Sequence, residues 1–212
     1  MPKTQMRERK QATPSRAPAE RREGAIKLLA RMRELRRARG WSLSQLSERS
    51  RIATSTLSKL ENNALSLTYD RLCAIAEAFG VSLSEFLSGA VDTVENSGAS
   101  ARFVVERRGG GELVDTPGYL YEYLCTDLRI KQIVPTLSKV KARTLREFGA
   151  LLRHPGEEFV FVIKGKIEVH TEIYSPETLE SGDSLYLDSR MGHAYLNAAD
   201  GETVILSAMY QP

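Results

Sequence analysis

An α + β chain of two unlike domains is what this sequence of 212 residues predicts, and three observations predict it. Apolar spacing is helical from Ala25 to Ser88, with side chains recurring at one face of a 3.6-residue period. From Ala101 onward it changes to short alternating runs broken by turns: "RFVVER", "YLYEYL", "EEFVFVIKGKIEVHTEIY", "SLYLD" and "TVILSAMY". Between them lies "GAVDTVENSGAS", small and polar. The expected organisation is a basic tail at 1–24, a five-helix domain at 25–88, a linker at 89–100 and an all-β domain of sandwich or barrel type at 101–212.

Each element follows from local chemistry. The first 24 residues are polar, basic and carry three prolines, a composition that predicts disorder. The first helix places Leu28, Met32 and Leu35 on one stripe and stops at Gly40. "SLSQ" at 42–45 reads as a capping box, Ser42 at the N-cap and Gln45 at N3, and opens a helix that buries Leu43 and Leu46. "RIATS" turns the chain, and "TSTLSKLEN" forms a third helix with Leu57 and Leu60 inward. The fourth carries Leu72, Ile75, Ala76 and Phe79 on one face and ends at Gly80, and a second capping box, Ser82 to Glu85, starts a short fifth.

Charge is divided along the chain although the net is only +3. Residues 1–24 carry 7 Lys/Arg against 3 Asp/Glu, residues 25–88 carry 10 against 6, and residues 89–212 carry 13 against 18. A basic front and an acidic back predict that only the front meets a polyanion. The two cysteines, Cys73 and Cys125, make neither a disulfide framework nor a zinc spacing, which fits a reducing cytoplasm. There is no apolar run of membrane-spanning length and no secretory leader, so no membrane partner is expected.

The tight pair of helices at 42–62 has an apolar inner face and a polar outer one. Ser42, Thr54, Ser55, Thr56, Ser58 and Lys59 are the candidate DNA-contacting residues: short hydroxyls permit close approach, and the lysine adds charge. The stretch "MRELRRARGWSLSQLSERSRIATSTLSKLENNALSLTYDRLCAIAEAFGVSL" resembles the DNA-binding domain of lambda-repressor-like (Xre) regulators. That resemblance implies a helix-turn-helix reader of a double-stranded operator. It also implies that Arg36 of the first helix pairs with Glu61 closing the third. Where the family often has serine or threonine this chain has Ala53, which leaves Thr54 as the expected cap.

In the β half, "LLRHPGEEFVFVIKG" and "GDSLYLDSRMGHAYLN" resemble the two motifs of the cupin barrel, a jelly roll. Glu158 and Gly165 keep the family interval, as do His193 and Asn197, whereas the usual first histidine is Leu152 and the usual proline and glycine of the second motif are Asp188 and Arg190. What remains is two imidazoles and one carboxylate, His154, Glu158 and His193, a set able to hold a divalent metal such as zinc, iron or nickel. The alternative is that both histidines hydrogen-bond an organic ligand directly.

With "KG" at 164–165 taken as a two-residue hairpin turn, Glu158, Val160, Val162, Ile167, Val169 and Thr171 share one face. His170 then points away and is not expected as a ligand, while Tyr195 and Asn197 share the face of His193 and join the ligand-binding candidates. Phe159, Phe161 and Ile163 form an apolar outer stripe that predicts a second sheet or a homodimer.

The combination resembles the Xre–cupin family of bacterial regulators. It implies a cytoplasmic, nucleoid-associated transcription factor, a repressor by analogy, whose cupin domain binds a small-molecule effector and alters operator binding. No nucleophile–base pair is visible, so the chain is expected not to be an enzyme. Two alternatives stay open: a cupin metalloenzyme tethered to a DNA-binding domain, and a cupin that serves only for dimerisation.

Overall fold

The computed structural model describes residues 18–65, 67–88, 103–128 and 131–210. Helices lead: α1 (Pro18–Ala38), α2 (Leu43–Ser50), α3 (Thr54–Glu61), α4 (Tyr69–Ala78) and α5 (Leu83–Ser88). α1 therefore begins inside the stretch expected as a tail, of which residues 1–17 lie outside the described residues, as does the expected linker 89–100.

Local signals account for the helix ends. Gly40 and Gly80 sit at φ +67° and +64°, the left-handed conformation that glycine adopts without a Cβ clash. The Ser42 hydroxyl accepts from the Gln45 N–H while the Gln45 side chain accepts from the Ser42 N–H; Ser82 and Glu85 repeat the arrangement. At α3 the N-cap is Ala53, which offers no side-chain bond, and Thr54 is already helical rather than the cap that the sequence predicts. Leu46, Leu57, Leu60, Leu72 and Ile75 are fully buried together, each side chain contributing about 1.5–3 kcal/mol through burial. Leu43 is only partly buried and packs at the edge of that cluster.

The second half is all-β apart from one short helix: β1 (Glu112–Asp115), β2 (Tyr119–Tyr123), β3 (Ile133–Val140), α6 (Leu145–Phe148), β4 (Glu157–Lys164), β5 (Lys166–Thr171), β6 (Glu177–Glu180), β7 (Ser184–Asp188), β8 (His193–Asn197) and β9 (Thr203–Tyr210). Six strands form one sheet in the order β1-β2-β3-β9-β4-β7, and three form another in the order β6-β5-β8. Among the described residues no ladder joins the two sheets, so the sequence-based expectation of a closed barrel becomes an open two-sheet sandwich. Val160, Val162, Leu187, Ile205 and Met209 of the large sheet share a core with Ile167, Val169 and Tyr195 of the small one.

The expected β4–β5 hairpin does not form. β4 pairs with β7 and β9, and β5 pairs with β6 and β8, so the chain crosses from one sheet to the other at Gly165. Gly165 has φ +83°, and a Cβ there would meet backbone of Thr203 at 2.9 Å and of Glu202 at 3.0 Å. Alternation along β4 is unaffected by the choice of partner. Glu158, Val160 and Val162 are buried, while Phe159, Phe161 and Ile163 are exposed on the outer face.

The helical and β halves share packing. α1 lies against β1, and Tyr69 at the start of α4 stacks on Tyr123 with ring centroids 6.4 Å apart.

Candidate functional site

β4 and β8 belong to different sheets, and the core between them brings His154, Glu158 and His193 together. His154 precedes β4, Glu158 is its second residue, and His193 opens β8; all three are buried. One Glu158 oxygen, Oε2, lies 3.6 Å from His154 Nε2 and 3.4 Å from His193 Nε2. One ligand atom from each of the three falls within 4.8 Å of the others.

The histidine rings are aimed by their other nitrogens. His193 Nδ1 is 2.9 Å from the Met191 carbonyl, and His154 Nδ1 is 3.4 Å from the Pro155 carbonyl. The contact of His193 Nδ1 with a carbonyl fixes the ring so that Nε2 faces Glu158. Burial pushes the Glu158 carboxyl up, but the two imidazoles outweigh it and hold it down to about 2. Burial works against charge on His193, and Glu158 reverses that, leaving its pKa raised. An ionised carboxylate and two aligned imidazole nitrogens converging in a buried pocket are the donor chemistry of a 2-His-1-carboxylate site, and the residues fit a divalent metal. Leu152 stands where the related motif carries a further histidine; it bridges His193 through the backbone and leaves that side without a donor.

Around the triad the cavity is lined by Tyr119, Tyr121, Ser138, Tyr195 and Ser207, with Tyr69 of α4 against them. Burial pushes the hydroxyls of Tyr69, Tyr121 and Tyr195 well up, so they remain neutral donors. The Tyr119 hydroxyl accepts from the Tyr195 N–H at 2.8 Å, which ties β2 to β8. Ser138 Oγ is buried without a hydrogen-bond partner.

The sequence-predicted residues divide. His154, Glu158, His193 and Tyr195 line one cavity. Asn197 is buried beside them in sequence only: its side chain holds the turn to β9, accepting from the Ala199 N–H and the Thr203 hydroxyl and donating to the Gly201 carbonyl. His170 faces Glu168 instead of the triad. Tyr119 and Tyr121 went unassigned, although the alternation of "YLYEY" places them with Tyr123 on one face. For Tyr69 the sequence offers only an apolar-stripe position in α4.

On the helical half, Ser42, Thr54, Ser55 and Lys59 are exposed, and Thr56 and Ser58 are half-buried. Arg36 grips Glu61 with two bonds, Nε to Oε1 at 2.7 Å and Nη2 to Oε2 at 2.9 Å, fixing α1 against the end of α3. Its remaining Nη1 donates to the Trp41 carbonyl at 2.7 Å. The pair braces the helix and offers nothing to bases.

Residues 32–86 match the helix-turn-helix family model, and residues 146–209 match the cupin domain model. The chain joins a helix-turn-helix domain to a cupin domain. Its fold is similar to that of an HTH_3 family transcriptional regulator from Vibrio cholerae, at 16% identity and TM-score 0.57, over 90% of this chain and 98% of that one. Similar structures also include hydroxypropylphosphonic acid epoxidase from S. wedmorenis, at 18% identity and TM-score 0.47, over 88% of this chain and 98% of that one. No curated protein matches the chain. The expectation that the chain is not an enzyme does not stand: the cupin domain carries a buried His154–Glu158–His193 cluster of the kind that can hold a metal, so the lack of a nucleophile–base pair does not decide against catalysis. No described helix is long and apolar enough to cross a membrane.

Proposed function

We propose that the chain is a cytoplasmic transcriptional regulator, a repressor, whose helix-turn-helix domain reads a double-stranded operator and whose cupin pocket takes a small-molecule effector. The helical domain ends near Ser88 and the cupin unit starts near Ala101. His154, Glu158 and His193 hold a divalent metal (zinc, iron or nickel), and the effector occupies its open positions beside Tyr195. The observation that carries the regulator reading is the outward face of α3: Thr54, Ser55 and Lys59 are solvent-exposed on a helix whose angle to α1 is set by the buried Arg36–Glu61 pair.

Lys59→Ala tests that face. If Lys59 meets a phosphate, affinity falls uniformly across operator sequences and the slope of log affinity against log salt becomes shallower by about one unit. Fluorescence anisotropy at several salt concentrations measures both, and unaltered binding would remove α3 from the interface.

A homodimer fits the outer face of the large sheet. Phe159, Phe161 and Ile163 of β4, Tyr186 of β7 and Tyr210 of β9 are all exposed there. Pairing through this face would present two helix-turn-helix domains to two half-sites. Phe161→Glu is expected to yield a monomer in sedimentation velocity; an unchanged dimer would place the interface elsewhere.

A second reading, a cupin metalloenzyme tethered to a DNA-binding domain, is favoured by the lack of a donor at Leu152, which leaves coordination positions free for a substrate. Turnover by the metal-loaded chain would establish it.

A further inference from the structure

The cavity at the triad has about 10 Å³ of accessible space, room for roughly one water molecule. Any organic ligand therefore has to displace a wall. Most walls are strand residues locked into ladders: Tyr119 and Tyr121 lie on β2 between β1 and β3, Ser138 on β3 between β2 and β9, and Ser207 on β9 between β3 and β4. Moving any of them breaks backbone bonds on two sides.

Tyr69 is different. Among the described residues it is the one that the helical domain contributes to the lining; it is the first residue of α4 and 1% exposed. Its ring stands edge-on to the His154 imidazole, centroids 4.6 Å apart at 73°, directly over a candidate metal ligand. As a helix residue it belongs to no ladder of the sandwich, and its ring lies against Tyr121, Tyr123 and His154.

We propose that Tyr69 is the gate of the cupin pocket and the residue that sets what it admits: a ligand larger than water enters by expelling this ring. The proposal rests on the metal and effector reading above and adds the route by which occupancy reaches the DNA reader. α4 packs on α2, α2 packs on α3, and Leu46, Leu57, Leu60, Leu72 and Ile75 bind them into one core. A ring expelled at the N-terminus of α4 tilts this unit against the sandwich instead of bending one helix, because close-packed cores move as bodies. In a dimer held through its sheets, that tilt changes the separation of the two α3 helices. Ligand and operator are then linked through the position of Tyr69.

The test uses the full chain loaded with Co(II) and imidazole as the probe, a ring too large for the closed cavity. Tyr69→Leu keeps an apolar side chain in the shared core but removes the ring, and Tyr69→Phe keeps the ring. With the open form populated at about 10% in the wild type, Tyr69→Leu binds imidazole about tenfold more tightly and Tyr69→Phe stays close to wild type, read from the cobalt absorption bands. In the wild type, imidazole also speeds amide exchange across the first two turns of α4, and in Tyr69→Leu it does not. Equal imidazole affinity in wild type and Tyr69→Leu, with α4 exchange unmoved by imidazole, would overturn the gate. Neither readout involves DNA, so a chain that selects no operator defeats the regulator reading alone.

Discussion

Replacing Glu61 with alanine is expected to lower the stability of the helical domain by about 3–5 kcal/mol, because removing one partner strands the other as an unpaired charge. Glu61 is 8% exposed and the Arg36 side chain 13%, so water compensates for little of the loss. The Arg33 guanidinium also reaches Glu61, at 3.5 Å between Nε and Oε2, and it is left without that partner too. Arg36 keeps only its bond to the Trp41 carbonyl. Glu61→Gln retains the shape and part of the hydrogen bonding and is expected to cost less than alanine.

Trp41 is the chain's single tryptophan and stacks on Phe79 at 5.5 Å, so its fluorescence follows unfolding of this domain in urea. A midpoint shift equal in the two variants would mean that charge is irrelevant to the pair. Operator binding should fall with stability, since the same contact sets the angle between α1 and α3.

The second large effect concerns the triad. Wild-type protein purified without chelator is expected to carry about one divalent metal per chain. His193→Ala is expected to abolish it: altering a group that merely orients a ligand costs about 10–100-fold in affinity, and removing the ligand itself costs more. His170→Ala serves as the control, because His170 faces Glu168 and should leave the metal content unchanged. Elemental analysis decides, and equal metal in the wild type and His193→Ala would dissolve the site. A wild type that stays empty after loading would instead leave His154 and His193 to bind an organic ligand directly.

How much of this was legible in the sequence depends on how local each feature is. The capping boxes at Ser42 and Ser82 need residues only three apart, and both are present. The inward set on β4 follows from two-residue alternation, which holds whichever strand lies alongside, so Glu158, Val160 and Val162 are buried despite the absent hairpin. Partner choice was not legible, because the crossing at Gly165 depends on Thr203 and Glu202, nearly forty residues away along the chain. The triad was visible because a spacing is retained around each motif. The role of Asn197 as a pin for its own turn was not, since alternation gives a face but not the hydrogen bonds a side chain finds there. Tyr69 lay furthest from reach: its stripe position in α4 says that it is buried, and only the packing of the helices on the sandwich says against what.

Whether α3 reads DNA is decided by selection from a pool of random duplexes by the full-length protein at physiological salt. A single enriched motif with two related half-sites is predicted for the wild type, with Lys59→Ala recovering it only at lower salt. A pool that stays random with the folded wild-type chain would contradict the claim.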